Sequence, residues 1–115
     1  MQLTFAYTPV PNLGEALTFY RDTLGWQEAW REGATTVALQ LPGTEVQVML
    51  DEVAEGAQPG PVFLVDSVKE FHEINRGRVR FATEPEEIPG GYWIRMDDPA
   101  GNPVYVMDQS TAGPA

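Results

Sequence analysis

Residues 97–108 read D-D-P-A-G-N-P-V-Y-V-M-D. Asp98-Pro99 followed by Gly101-Asn102 is turn chemistry, because proline pre-sets one backbone angle and glycine accepts the positive φ that closes the reversal. The next four residues, V-Y-V-M at 104–107, alternate as a strand does. The same four-residue pattern occurs once before, V-Q-V-M at 46–49, behind the turn Pro42-Gly43-Thr44. Working outward from each copy, helix-capping signals stand at Asn12 and Ser67, 55 positions apart. The order of elements between cap and final strand is the same in both halves, which predicts an internal β-α-β-β-β duplication.

In the first half, Leu3 to Val10 reads as a strand. Asn12 with Glu15 three residues on is a variant capping box, and Leu13, Ala16, Leu17, Tyr20 and Leu24 fall at helical spacing before a stop at Gly25. Strands are expected near 26–31, 35–41 and 45–51. Glu52 to Gly60 is a polar, turn-rich linker. In the second half, Pro61 to Val65 is a strand and Ser67-Val68-Lys69-Glu70 a capping box. Val68, Phe71 and Ile74 form an apolar helix face ahead of Gly77, and strands follow near 78–83, 91–97 and 103–108. The organisation is one domain, residues 1–110, with module one at 1–51, a linker at 52–60 and module two at 61–108. Residues 109–115 read as a flexible tail.

At 115 residues a chain buries roughly 65% of its unfolded surface, so a real core is expected. No apolar run approaches the roughly 20 residues of a membrane span, and no signal peptide is suggested, so the cytoplasm is the default location. Seventeen acids against seven bases, for a net charge of −10, leave no clustered cations with which to neutralise phosphates. Nucleic-acid binding is thereby disfavoured. The acidity serves solubility or, more sharply, a preference for a cationic ligand. Absence of cysteine excludes disulfides, thiolate metal sites and a cysteine nucleophile.

F-Y-R-D-T-L-G-W at 19–26 and D-P-A-G-N-P at 98–103 resemble two signatures of the glyoxalase, bleomycin-resistance and extradiol-dioxygenase superfamily (vicinal oxygen chelate). The likeness spans the chain from the first strand to Asp108. It implies an α+β fold in which two tandem βαβββ modules form a cup-shaped mixed β-sheet around a cavity. Phe19, Tyr20 and Leu24 would then be core. Metal-dependent members carry four ligands, usually histidine and glutamate, on the first and last strand of each module. Carried over one by one, these positions fall on Phe5, Gln47, Gly60 and Tyr105. Phe5 and Gly60 have no side-chain donor, Gln47 has only an amide oxygen, and an unperturbed tyrosine ionises near pH 10. The set does not suit a catalytic divalent ion, so no metal and no cofactor are expected. Glu45, Asp51 or His72 would have to supply ligands if the register were misplaced.

Strand alternation then nominates the cavity lining: Phe5, Tyr7, Gln47, Met49, Tyr105 and Met107, with Leu3, Val62 and Leu64, and also Trp93 and Arg95 because Ile94 and Met96 suit the helix-packed face. Trp26 and Trp30 share one side of their strand, on a face the sequence leaves open. His72 falls off the apolar helix face and reads as an exposed histidine. Glu84, Glu86 and Glu87 read as a solvated loop or an acidic lip over the cavity. An aromatic, methionine-lined pocket suits a flat organic molecule, aromatic or cationic. The resemblance implies either a metal-free binding module of the antibiotic-resistance type or a glyoxalase-, transferase- or dioxygenase-like enzyme. Without a metal, the second would need a base such as Tyr105, Arg95 or Glu45. A structural or regulatory member with a closed cavity is a third class. Small members of the superfamily pair, so a homodimer is implied, with 8–12 and 56–61 as hinges or simply as loops.

Overall fold

The computed structural model describes residues 1–112, and residues 113–115 of the expected tail lie outside the described residues. The fold is α+β. Its elements run β1 (Gln2–Val10), α1 (Leu13–Leu17) continued by a π-helical turn (Thr18–Thr23), β2 (Glu28–Glu32), β3 (Thr36–Gln40), β4 (Gln47–Glu52), β5 (Gly60–Leu64), α2 (Val68–Asn75), β6 (Arg80–Phe81), β7 (Glu86–Ile88), β8 (Gly91–Asp97) and β9 (Pro103–Met107). Two compact units result, Thr4–Gly60 and a second that joins Met1–Leu3 to the residues from Pro61 onward.

In the unit Thr4–Gly60, β1 and β4 are parallel, while β3 runs antiparallel to both β4 and β2. One face packs on the helix. Leu13, Leu17, Val37, Leu39, Val48 and Leu50 are its buried core, with Tyr20 and Trp26 against them. Asn12 takes an extended N-cap conformation and its side chain accepts the Glu15 N–H, as the sequence predicts. Downstream, the prediction that Phe19 and Leu24 are core is overturned, since both are about half exposed. The Leu24 N–H bonds the Phe19 carbonyl, five residues back. That π-type spacing under-winds the helix and carries Leu24 off the apolar face that regular α spacing would give it. Trp26 takes the place, its ring 5.5 Å from that of Tyr20.

The second unit repeats the scheme with β5 and β9 parallel and β8 antiparallel to β9. Its helix-side core is smaller: Val68, Ile94 and Val106 are fully buried, with Phe71, Phe81, Tyr92 and Met96 around them. Two expectations fail here. The segment read as a solvated acidic loop contains β7, whose Glu86, Glu87 and Ile88 pair antiparallel with Trp93, Tyr92 and Gly91 of β8. The expected strand at 78–83 shrinks to Arg80–Phe81. Helix α2 also faces differently from expectation. Ile74 is 61% exposed, whereas the His72 side chain is only 14% exposed and lies edge-on to Phe81 at 4.8 Å. A 68-71-74 series drifts about 60° per step at 100° per residue, so by Ile74 it has left the face, while positions 71, 72 and 75 stay near Val68.

Asp108, just past β9, ties this unit together. Its side chain is 1% exposed. Oδ2 accepts the Val68 N–H at 2.7 Å, at the start of α2. Oδ1 accepts the Tyr92 N–H at 2.8 Å together with the Ser110 N–H and hydroxyl. Gly91 is obligatory beside it, because a Cβ there would stand 2.2 Å from the Asp108 carbonyl oxygen. The first unit has a counterpart: Glu52, at the end of β4, accepts the Leu13 N–H at 2.8 Å. Residues 109–112 are held as well, with the Thr111 N–H on the Gly90 carbonyl.

Burial pushes the Asp108 carboxyl up, but the hydrogen bonds from Val68, Ser110 and Tyr92 outweigh it and hold the group below the usual carboxylate range. A depressed folded-state value means stabilisation that is present above the unfolded value and lost as pH falls through the folded one. Urea melts of the wild type should therefore weaken from about pH 4 downward, and Asp108→Asn should flatten that dependence. At neutral pH Asp108→Ala should cost about 2–4 kcal/mol, by stranding two buried N–H groups. For the helix, Leu24→Ser should change stability by less than about 0.5 kcal/mol and Trp26→Ala by about 3 kcal/mol.

Candidate functional site

Residues directly opposite on paired strands share a face, which sorts the candidate residues. Away from α1, Phe5 is opposite Gln47 and Tyr7 opposite Met49. Gln40 and Ala38 of β3 oppose Gln47 and Met49 in turn. Trp30 of β2 opposes Ala38 and so joins them. Phe5 and Tyr7 are 7% and 8% exposed; Gln47 and Met49 are intermediate. Leu3, proposed for the same lining, is 43% exposed.

Trp30 is the residue the sequence could not assign. It lies edge-to-face with Phe5, centroids 5.7 Å apart at 84°, and its indole N–H donates to Gln47 Oε1 at 2.9 Å. Gln47 Nε2 donates to Gln40 Oε1 at 3.4 Å, and Gln40 Nε2 donates to the Thr44 carbonyl at 2.6 Å. Trp26, on the helix side, is on the opposite face. The expectation that the two tryptophans share a side fails because the strand begins only at Glu28 and its register shifts between Glu28 and Trp30. Such a bulge inverts the alternation, and no turn residue announces it.

Two residues along from Met49, Asp51 belongs to the same face, opposite Thr36 and Pro9. Its Oδ2 accepts the Tyr7 hydroxyl at 2.7 Å and its Oδ1 the Thr36 hydroxyl at 2.8 Å. The carboxylate is partly buried.

In the second unit, Tyr105 opposes Val62 and Arg95, and Met107 opposes Leu64 and Trp93. These residues share the face away from α2, whose own side takes Ile94 and Val106. Trp93 and Tyr105 are stacked, centroids 4.5 Å apart at 19°. Arg95 Nε donates to Asp97 Oδ1 at 2.9 Å, so this guanidinium comes with a counter-ion the sequence reading omitted. Tyr105 is 4% and Met107 8% exposed. A separate cavity of about 540 Å³ in this unit, with Met1, Gln2, Leu64, Asp66, Gln109 and Ser110 among its lining, shares only Leu64 with the nominated lining residues.

The strand register also corrects one metal-ligand position. Phe5 pairs with Gln47, but Tyr105, the counterpart of Gln47, pairs with Val62 rather than Gly60. Counting back from the helix cap fails because the two modules have different lengths between first strand and helix. Neither pair suits a divalent ion: in the first unit Phe5 is a hydrocarbon and the Gln47 amide oxygen already accepts from Trp30, and in the second Val62 is a hydrocarbon and Tyr105 a phenol. Among the described residues, no three His, Cys, Asp or Glu side chains form a group that could hold a metal. None of the described helices is long and apolar enough to cross a membrane.

Residues 3–106 match the family model described as Glyoxalase/Bleomycin resistance protein/Dioxygenase superfamily. No curated protein matches the chain in sequence. Among solved structures, one described as an NAD-dependent benzaldehyde dehydrogenase from Legionella pneumophila has TM-score 0.75 at 18% identity, over 91% of this chain and 97% of that one. A glyoxalase/bleomycin resistance protein/dioxygenase superfamily member from Vibrio splendidus has TM-score 0.67 at 17% identity, over 90% and 96%. Methylmalonyl-CoA epimerase from Streptomyces coelicolor, in complex with 2-nitronate-propionyl-CoA, has TM-score 0.69 at 14% identity, over 96% and 98%. At these identities the likeness is one of fold.

The stacked pair is open to direct measurement. A double-mutant cycle on Trp93→Leu and Tyr105→Leu, read by urea denaturation, should return a coupling of about 1 kcal/mol favouring the pair.

Proposed function

The chain belongs to the glyoxalase/bleomycin resistance protein/dioxygenase superfamily, and from that premise we propose that it is a metal-free binding protein for a small organic molecule carrying an aromatic group. The observation that carries the reading is the content of the four expected metal positions, Phe5, Gln47, Val62 and Tyr105, together with the Trp30 indole that holds the Gln47 oxygen. Where metal-dependent relatives need anionic or imidazole donors, this chain has surfaces suited to stacking.

Phe5 with Trp30 and Trp93 with Tyr105 are aromatic pairs whose rings already rest against each other. Rings fixed before binding lose little rotamer freedom when a ligand arrives, so more of the burial energy appears as affinity. No proton transfer is required of these residues, and sequestration of the drug-resistance type is the role this chemistry fits. A homodimer belongs to the same proposal, and sedimentation at micromolar concentration tests it.

Zinc, nickel and manganese should leave the melting temperature unchanged, whereas hits from an aromatic library should raise it with the logarithm of concentration. Tyr105→Phe should keep such binding, and Tyr105→Ala should weaken it about tenfold, the loss of roughly 1.4 kcal/mol of contact. Stoichiometric metal accompanied by turnover of a glutathione adduct or a catechol would sink the proposal.

A further inference from the structure

Resting on that binding reading, we infer that the ligand is an organic cation and that Asp51 is the residue that receives its charge. Five acidic side chains of the described residues are drawn into the fold away from bulk water or onto a backbone donor, and four are compensated. Asp98 accepts the N–H groups of Ala100 and Asn102 within its own turn. Asp97 has the Arg95 guanidinium at 2.9 Å. Asp108 has three backbone N–H groups and a hydroxyl. Glu52 sits on the Leu13 N–H. Asp51 differs. Its two partners are the neutral hydroxyls of Tyr7 and Thr36, and among the described residues it makes no ion pair.

No local cation is available to supply one. The segment 4–60 contains eight acids and only two bases, Arg21 and Arg31, and both are engaged with Asp22 or Glu28. The two hydroxyls stabilise the carboxylate by hydrogen bonding but bring no opposite charge, and an asparagine in its place could still exchange hydrogen bonds with both. Partial burial of an uncompensated charge has a cost that the neutral amide avoids. The charge has a use if a ligand brings the opposite one.

Position strengthens the assignment. Asp51 is on the face of Phe5, Tyr7, Met49 and Trp30, not on the helix-packed side. Along β4 it stands four residues from Gln47, about 13 Å at the usual strand rise. That separation suits a flat group near Phe5 and Trp30 with an amine reaching past Tyr7, whose ring adds a cation–π surface next to the carboxylate. The two hydroxyls orient the Asp51 oxygens in advance, and an ammonium then forms a charge-assisted hydrogen bond, stronger than a neutral one.

Three probes of one skeleton test this by calorimetry: 2-(1-naphthyl)ethylamine, 2-(1-naphthyl)ethanol and 1-naphthylacetate. The amine is expected to bind at least about tenfold more tightly than the alcohol, with the acid weakest, and the preference should shrink as salt rises. Asp51→Asn should erase the preference while leaving affinity for the alcohol within about twofold and the melting temperature within a few degrees. Asp51→Glu should restore part of it. Equal binding of amine and alcohol, or an amine preference that survives Asp51→Asn, overturns the role of Asp51 and leaves the binding reading standing. Failure of all three probes, with a silent aromatic library, overturns both.

Discussion

Each helix of this protein begins on a carboxylate that arrives from the end of its unit's last strand. Asp108 receives the first N–H of α2 and Glu52 the first N–H of α1. Helix N-termini leave donors without intrahelical partners and carry a partial positive charge, so an acid at that point satisfies both. The tie has a longer reach than a side-chain cap such as Asn12 or Ser67, because it joins residues 39 and 40 positions apart. It locks helix to sheet. The face turned away from each helix then has its residues placed by strand register alone, and the candidate site is built from that face.

Much of this was legible in the sequence. The two capping boxes, the D-P-x-G-N turn and the repeated V-x-V-M strand have local physical signatures, and each appears where the pattern puts it. Asp98 shows why the turn is so readable: its carboxylate accepts the N–H groups of Ala100 and Asn102 and the Asn102 side-chain amide, while Gly101 takes φ of 88°. Every participant is within four residues. What was not legible was set at longer range or by a change of period. The π-helical turn exposes Leu24 and brings Trp26 inward; the β2 bulge sends Trp30 to the other face from Trp26. Both devices insert a residue into a regular repeat, and a pattern count carried through them comes out on the wrong side.

The candidate site divides along the same line. Which residues accompany Gln47 and Tyr105 followed from alternation, and the register places Met49 and Met107 beside them. The partners that give those residues their chemistry did not follow. Arg95 and Asp97 are two apart on β8, a pairing that alternation could have offered, whereas the hydroxyls on Asp51 and the indole on Gln47 arrive from other strands and depend on register and twist. A single sequence carries no spacing rule for them.

The hydrogen-bonded run from Trp30 through Gln47 and Gln40 to the Thr44 carbonyl also bears on how this chain could change over generations. A substitution of Gln47 to glutamate, the obvious step toward a metal ligand, would keep an acceptor for the Trp30 indole but lose the Nε2 that donates to Gln40, and histidine would remove the amide oxygen itself, so the link to the β3–β4 turn is disturbed before any ion is gained. With its strand partner Phe5 unaltered, the new side chain would stand as a lone donor, and a divalent site wants at least three. Intermediate sequences on that route carry a structural penalty without a compensating activity. The aromatic character of this face is thus locked in by its own hydrogen bonds, and variation is channelled toward the shape and charge of what it binds.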